Sequence, residues 1–152
     1  LGDRTLNNRD ACIYGVFGSA VNVTDGQYTC FIYPPDVHGG DLNQYTLMPL
    51  HMKEFFSIEE LQEAKLIESM PFSRSAPVLQ IPATPKSPFY SHQGPGTLKD
   101  TESALFDLHA DPLQNHPLHD VAVQQRMHRM TIEQMKIQHA PVEYFRRLDL
   151  SS

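Results

Sequence analysis

Histidine gives this chain most of its chemical scope: eight His stand beside twelve Lys and Arg. His116-Pro117-Leu118-His119-Asp120 places two imidazoles and a carboxylate close together, a donor set that can bind a metal such as zinc. Pro117 and the expected helix start just beyond work against convergence, so loop and helix-cap roles are the alternative. His38 lies in a glycine-rich loop and His51 follows an extended segment. Loops at strand ends carry function disproportionately, so His38 and His51 are the candidate substrate-side residues, with a structural or solvated role as the alternative. His128 and His139, eleven residues apart on an expected helix, are read as surface residues.

No nucleophile motif is present. The chain contains no G-x-S-x-G, P-loop, G-x-G-x-x-G or H-E-x-x-H pattern. Cys12 and Cys30 are too few for a disulfide scaffold and lack C-x-x-C spacing. Both lie in apolar, strand-like runs, where a free Cys acts as a small hydrophobe; a structural disulfide is the alternative. Asn22-Val23-Thr24 fits a glycosylation sequon, which matters only in a glycosylating pathway. Arg146 and Arg147 suit a helix C-terminus on a solvated face, with anion binding as the alternative. Met127, Met130 and Met135 read as core. No catalytic residue is assigned.

The elements that must position these residues are legible in part. Ala11–Phe17 is a short β-like run. Asp25-Gly26 between Ala20–Val23 and Tyr28–Tyr33 predicts a hairpin with a type I′ turn, ended by Pro34-Pro35. Tyr45–Leu50 predicts another extended segment. Ser57 and Glu60 form a capping box that opens a helix expected to reach Glu68. From Met70 to Gly96 the chain holds six of its twelve prolines, and Val78–Ile81 is the one plausible strand in that excursion. Its apolar content predicts that it lies across a surface. Ala104–Leu108 predicts a strand. Leu118–Gln138 predicts a helix, with an apolar face from Val121 to Ile137 and Asp120 near its start. Pro141 predicts the first turn of a last short helix. The fold class is therefore α+β: a small antiparallel sheet packed against a long C-terminal helix, residues 1–152 forming a single unit with the 70–96 excursion inside it.

The 152 residues have the size of one domain. Hydrophobic residues are 40%, charged residues 20%, the net charge is −6 and the mean hydropathy is −0.39. That acidity argues against a nucleic-acid backbone partner, which needs a basic face. No apolar run approaches the ~20 residues of a membrane span, so no membrane partner is expected. The first residues, LGDRTLNNR, show neither an initiator Met nor a basic and apolar leader. The chain thus reads as a fragment or processed form, with cytoplasm and periplasm both open.

Gly15–Pro34, GVFGSAVNVTDGQYTCFIYP, resembles a phrase of the type GxFGgavNvTDGrYtYfrYP in the C-terminal region of bacterial formylglycine-dependent sulfatases of the alkaline-phosphatase-like superfamily. Tyr45-Thr46-Leu47-Met48-Pro49 continues the likeness. Ala104–Leu108 with Asp111-Pro112 is similar to the tail pattern LYDLxxDPxExxNL, and His116-Pro117-Leu118, Asp120 and Arg126-Met127 follow in order. The resemblance covers almost the whole chain. It implies a roughly four-stranded antiparallel sheet with a long helix, docked beside the active-site cleft of a sulfatase catalytic domain. It also implies a calcium ion and a formylglycine made from a C/S-x-P-x-R motif, both in that missing N-terminal domain. Cys30-Phe31-Ile32-Tyr33-Pro34 has the wrong spacing for this motif and Ser73–Pro77 the wrong order.

The implied function is that of a sulfatase subdomain, supplying scaffold and substrate-pocket loops but inactive alone. Its partners would be the catalytic domain and, through the parent enzyme, a sulfated small molecule or sugar. A stand-alone protein-binding module of the same fold and a small His-dependent metal-binding protein are the alternatives.

Overall fold

A computed structural model describes residues 10–39, 41–48, 50–51, 55–84, 90 and 101–150. The chain is α+β. Its first sheet has the order β1-β2-β3-β7, antiparallel throughout, from β1 (Cys12–Gly15), β2 (Val21–Thr24), β3 (Tyr28–Ile32) and β7 (Ala104–Asp107). A second, three-stranded antiparallel sheet has the order β4-β6-β5, from β4 (Asn43–Thr46), β5 (Lys65–Ile67) and β6 (Val78–Pro82). Among the described residues the helices are α1 (Ile58–Gln62), α2 (Val121–Ile137) and α3 (Val142–Arg147), with a 3-10 turn at Pro71–Ser73.

Strand register sorts the first sheet's residues onto two faces. Val23 pairs with Cys30 and Cys30 with Leu105, so these three share a face, and α2 packs over it. Met127 and Met135 of α2, with Phe145, Leu148 and Leu150, complete this core. Thr131 sits between the two methionines at helical spacing and is fully buried. Its hydroxyl is satisfied by donating to the Met127 carbonyl at 3.0 Å. The helical stripe is narrower than its apolar sequence suggests, for Val121 and Ile137 are exposed. Asp120 caps α2 by accepting from the Val123 amide at 3.0 Å.

The opposite face carries aromatic residues. Phe31 meets Tyr14 and Phe106 edge-to-face, with centroids 6.3 and 5.8 Å away. The Tyr14 hydroxyl hydrogen-bonds Thr29 at 2.7 Å. Asn22 lies on this face, only 8% exposed, and its side-chain oxygen has no hydrogen-bond partner. The sequon is thus closed in the middle of a strand. Gly15 is required by close approach: a Cβ there would meet the Ala20 carbonyl oxygen at 2.5 Å.

The hairpin forms where Asp25-Gly26 predicts it, but not with a type I′ turn. Only Gly26 there has positive φ, +93°. The Asp25 carboxylate instead accepts from the Gln27 and Tyr28 amides at 3.0 and 2.7 Å, and the turn is built around that side chain. Arg126 of α2 adds a 2.7 Å ion pair to the same carboxylate and lies over the Tyr28 ring. Burial works to raise the Asp25 pKa, but the Tyr28 amide, Arg126 and the Gln27 amide outweigh it, and the net shift is downward.

Three other expectations are corrected. The helix opened at Ser57 stops at Gln62 rather than running to Glu68, and Lys65–Ile67 is an edge strand beside β6. The extended segment from Tyr45 is a strand only over Asn43–Thr46, with an isolated bridge from Leu50 to Phe55. His128, expected at the surface, is half-buried, and burial lowers its pKa. Within the proline-rich excursion, the strand expected at Val78–Ile81 is β6. Its residues 85–89 and 91–96 lie outside the described residues, as does Pro49.

Both cysteines are free thiols: Cys12 is exposed and Cys30 is buried. Burial pushes the Cys30 pKa up to about 11, which suppresses the reactive thiolate. A thiol reagent at pH 8 is expected to label Cys12 in the native chain and Cys30 only after unfolding. Equal labelling rates in mass-spectrometric time courses would contradict this packing.

Candidate functional site

The two sheets are joined along a polar seam, and one of the two histidines singled out in the sequence belongs to it. His38, exposed in the loop after β3, contacts Tyr90 through Nδ1 at 2.9 Å from the hydroxyl. Its backbone amide donates to Asp36 at 2.9 Å. Burial raises the Tyr90 pKa, with Arg147 opposing and Asp36 reinforcing. Arg147, at the end of α3, reaches into the same loop. It donates to the carbonyls of Val37 at 2.6 Å, Gly18 at 3.0 Å and Gly39. Burial lowers its pKa. The solvated face expected for Arg147 is therefore corrected: its guanidinium is spent on backbone oxygens, which have no side-chain signature in a sequence.

His51 stands apart from this seam. Its Nε2 is 3.2 Å from Glu60 Oε1, and its ring meets Phe56 at a tilt of 58° with centroids 4.2 Å apart. Glu60 is buried and also accepts from the Ser57 amide at 2.8 Å, while the Ser57 hydroxyl accepts from the Glu60 amide at 3.2 Å. One carboxylate thus closes the capping box of α1 and holds His51. No described contact joins His38 to His51.

The seam's centre was missed by the sequence reading. Tyr45 of β4 donates from its hydroxyl to Glu143 Oε1 of α3, and accepts from Gln80 Nε2 of β6 at 3.1 Å. Asn43 Nδ2 lies 3.5 Å from the same Glu143 oxygen, and the Tyr144 hydroxyl donates to the Asn43 carbonyl at 2.9 Å. Burial first, then Glu143, pushes the Tyr45 pKa up to about 12. Burial, then Tyr45 and Glu143, also raises that of Tyr144. A shifted tyrosine beside a carboxylate has no local sequence signal, since its partners lie 35 and 98 residues away.

Two clefts flank this network. One of about 360 Å³ is walled by Asp41, Asn43, Glu63, Lys65, Gln80 and Thr84, with Leu42, Pro82 and Ala83 behind. The other, about 200 Å³, is bounded by Asp41, Glu143, Arg146 and Arg147. Asp120 is occupied by its capping bond, and the His116 amide donates to Asp111 at 2.7 Å. Among the described residues, no three His, Cys, Asp or Glu side chains converge as a metal site, and no helix is long and apolar enough to cross a membrane. Comparisons with protein-family models, curated proteins and solved structures find no match.

Because the neutral tyrosines are favoured in the fold, their contribution is complete below the unfolded pKa near 10 and declines as pH rises through the folded value of about 12. Stability is therefore expected to fall with pH between these values. E143Q should bring Tyr45 ionisation down toward 10 without reaching it, since burial remains. Absorbance titration of E143Q beside wild type at 295 nm checks this; unchanged titration would contradict the Tyr45–Glu143 contact.

Proposed function

We propose that this chain is the C-terminal subdomain of a sulfatase, docked on a catalytic domain that carries the formylglycine nucleophile and the calcium ion. The chain itself supplies scaffold and loops at the edge of the substrate cleft. The sulfatase-like phrases at Gly15–Pro34 and Ala104–Pro112 suggest the family. The observation that supports the docking role is the set of exposed apolar side chains on the second sheet and the segments flanking it in sequence. Leu66 on edge strand β5 is 72% exposed, Phe55 79% and Ile58 71%, and Leu47, Met48 and Phe72 are each more than half exposed. Exposed apolar side chains of this size are what a docking partner would cover.

In this reading His38 is a substrate-side candidate at the seam. The ring leaves Nε2 without a hydrogen bond among the described residues while Tyr90 holds Nδ1. His51 is the second candidate, already engaged with Glu60 and Phe56. A sulfated small molecule or sugar is the ligand that the parent enzyme would bring to them. The hydrolysis itself belongs to the catalytic domain, so no step of it is assigned to residues of this chain.

The reading frame upstream of Leu1 tests the proposal. A long continuation containing C/S-x-P-x-R is expected, and the isolated chain should not turn over a chromogenic sulfate ester. A frame beginning at or near Leu1 would overturn the proposal and leave a stand-alone module that binds a partner through the same apolar surface.

A further inference from the structure

The larger cleft, on the strand face opposite Leu66, carries a different chemistry from the apolar surface. Register places Tyr45, Gln80 and Lys65 in one row across β4, β6 and β5, because Gln80 pairs with both Tyr45 and Lys65. Alternate residues share a sheet face, so Asn43 and Pro82, also mutually paired, lie on this face beside them. The cleft's floor is thus a row of polar side chains on regular strands, with Glu63 from the end of α1 and Asp41 and Thr84 from the loops as its rim.

Two floor amides are held in place by neighbouring side chains. Gln80 donates one N–H to Tyr45, which is itself tied to Glu143, so the Gln80 carbonyl oxygen and second N–H remain for the cleft. Asn43 directs its Nδ2 toward Glu143, leaving its carbonyl oxygen. Such support fixes the geometry of a binding group before a ligand arrives. Asp41, Glu63, Lys65 and Thr84 make no side-chain hydrogen bond or ion pair among the described residues.

Charge and hydrogen-bond character narrow the ligand. Among the described residues Lys65 is the cleft's one cation, against the carboxylates of Asp41 and Glu63, so a free anion meets net repulsion from this lining. Donors from Lys65 and the amides alternate with carboxylate and carbonyl acceptors. A sugar hydroxyl donates and accepts at once, as does any hydroxyl, and suits such an interleaved set. Leu42, Pro82 and Ala83 offer an apolar wall to a sugar's C–H face. The volume of about 360 Å³ lies at the small end of the roughly 300–1,000 Å³ range of ligand pockets. We infer that this cleft is a binding site for a neutral sugar residue, held by the amides of Asn43 and Gln80, the carboxylates of Asp41 and Glu63, and Lys65. This assignment stands independently of the sulfatase reading.

The test is an NMR titration of the full chain with D-glucose, D-galactose and N-acetyl-D-glucosamine, each in separate samples, with inorganic sulfate as the anionic probe. At least one sugar is expected to give saturable shifts of the Asn43 and Gln80 side-chain NH2 signals, and sulfate none. Lys65 and Glu63 are exposed, so K65A and E63A should fold as wild type. Each should weaken the sugar's affinity about tenfold, the worth of a hydrogen bond to a charged group. No saturable shift with any of the three sugars would overturn the assignment. So would binding that survives both substitutions unchanged, or sulfate shifting the same signals.

Discussion

The joining of the two sheets depends on Arg147. Its guanidinium gathers the carbonyls of Gly18, Val37 and Gly39, which belong to the turn after β1 and the loop after β3. These loops have no sheet ladder to satisfy their backbone oxygens, and a buried carbonyl needs a partner. Arginine suits the task because its planar fork offers several donors in fixed directions and keeps its charge when partly desolvated. Each hydrogen bond to a charged group contributes roughly 1.5–3 kcal/mol. α3 is anchored from its other face by Phe145 in the main core. The helix thereby transmits the rigidity of the first sheet to the loop that leads into the second.

That anchoring lets α3 present Glu143 and Tyr144 to β4. The Tyr45–Glu143–Asn43 cluster and the Tyr144 bond to the Asn43 backbone then dock the second sheet. Burial favours neutral tyrosines here, and the shared carboxylate reinforces that preference. The same interactions orient the amides on the cleft floor, so the polar cleft follows from how the sheets are held together. The opposite strand face carries the exposed Leu66 and the fully buried Ile81.

Local signals in the sequence were reliable where the physics is local. Asp25-Gly26 marks its turn, Ser57 and Glu60 their capping box, and Asp120 its helix start, because each acts within three residues of itself. The turn type was misread because a side-chain carboxylate, rather than two positive φ angles, organises the bend. Lys65-Leu66-Ile67 continued a helical spacing, but pairing with Val78–Gln80 offers a ladder that local propensity does not encode. Extended segments at Tyr45 and at Val78–Ile81 were legible, but not their pairing into a second sheet, since β4 and β6 are separated by more than thirty residues. In the candidate site, His38 was legible as a loop residue. Tyr45, Glu143 and Arg147 were not, since what makes them notable is the distant atoms they meet.

The most direct measurement is amide hydrogen exchange of R147M beside wild type. Methionine keeps much of the apolar stem and removes every donor. If Arg147 joins the sheets, protection should fall across Val37–Gly39, Asn43–Thr46 and Val78–Pro82, while Val23, Cys30 and Leu105 in the first sheet keep theirs. Unchanged protection in the loop and second sheet would contradict the account, as would a uniform loss through both sheets.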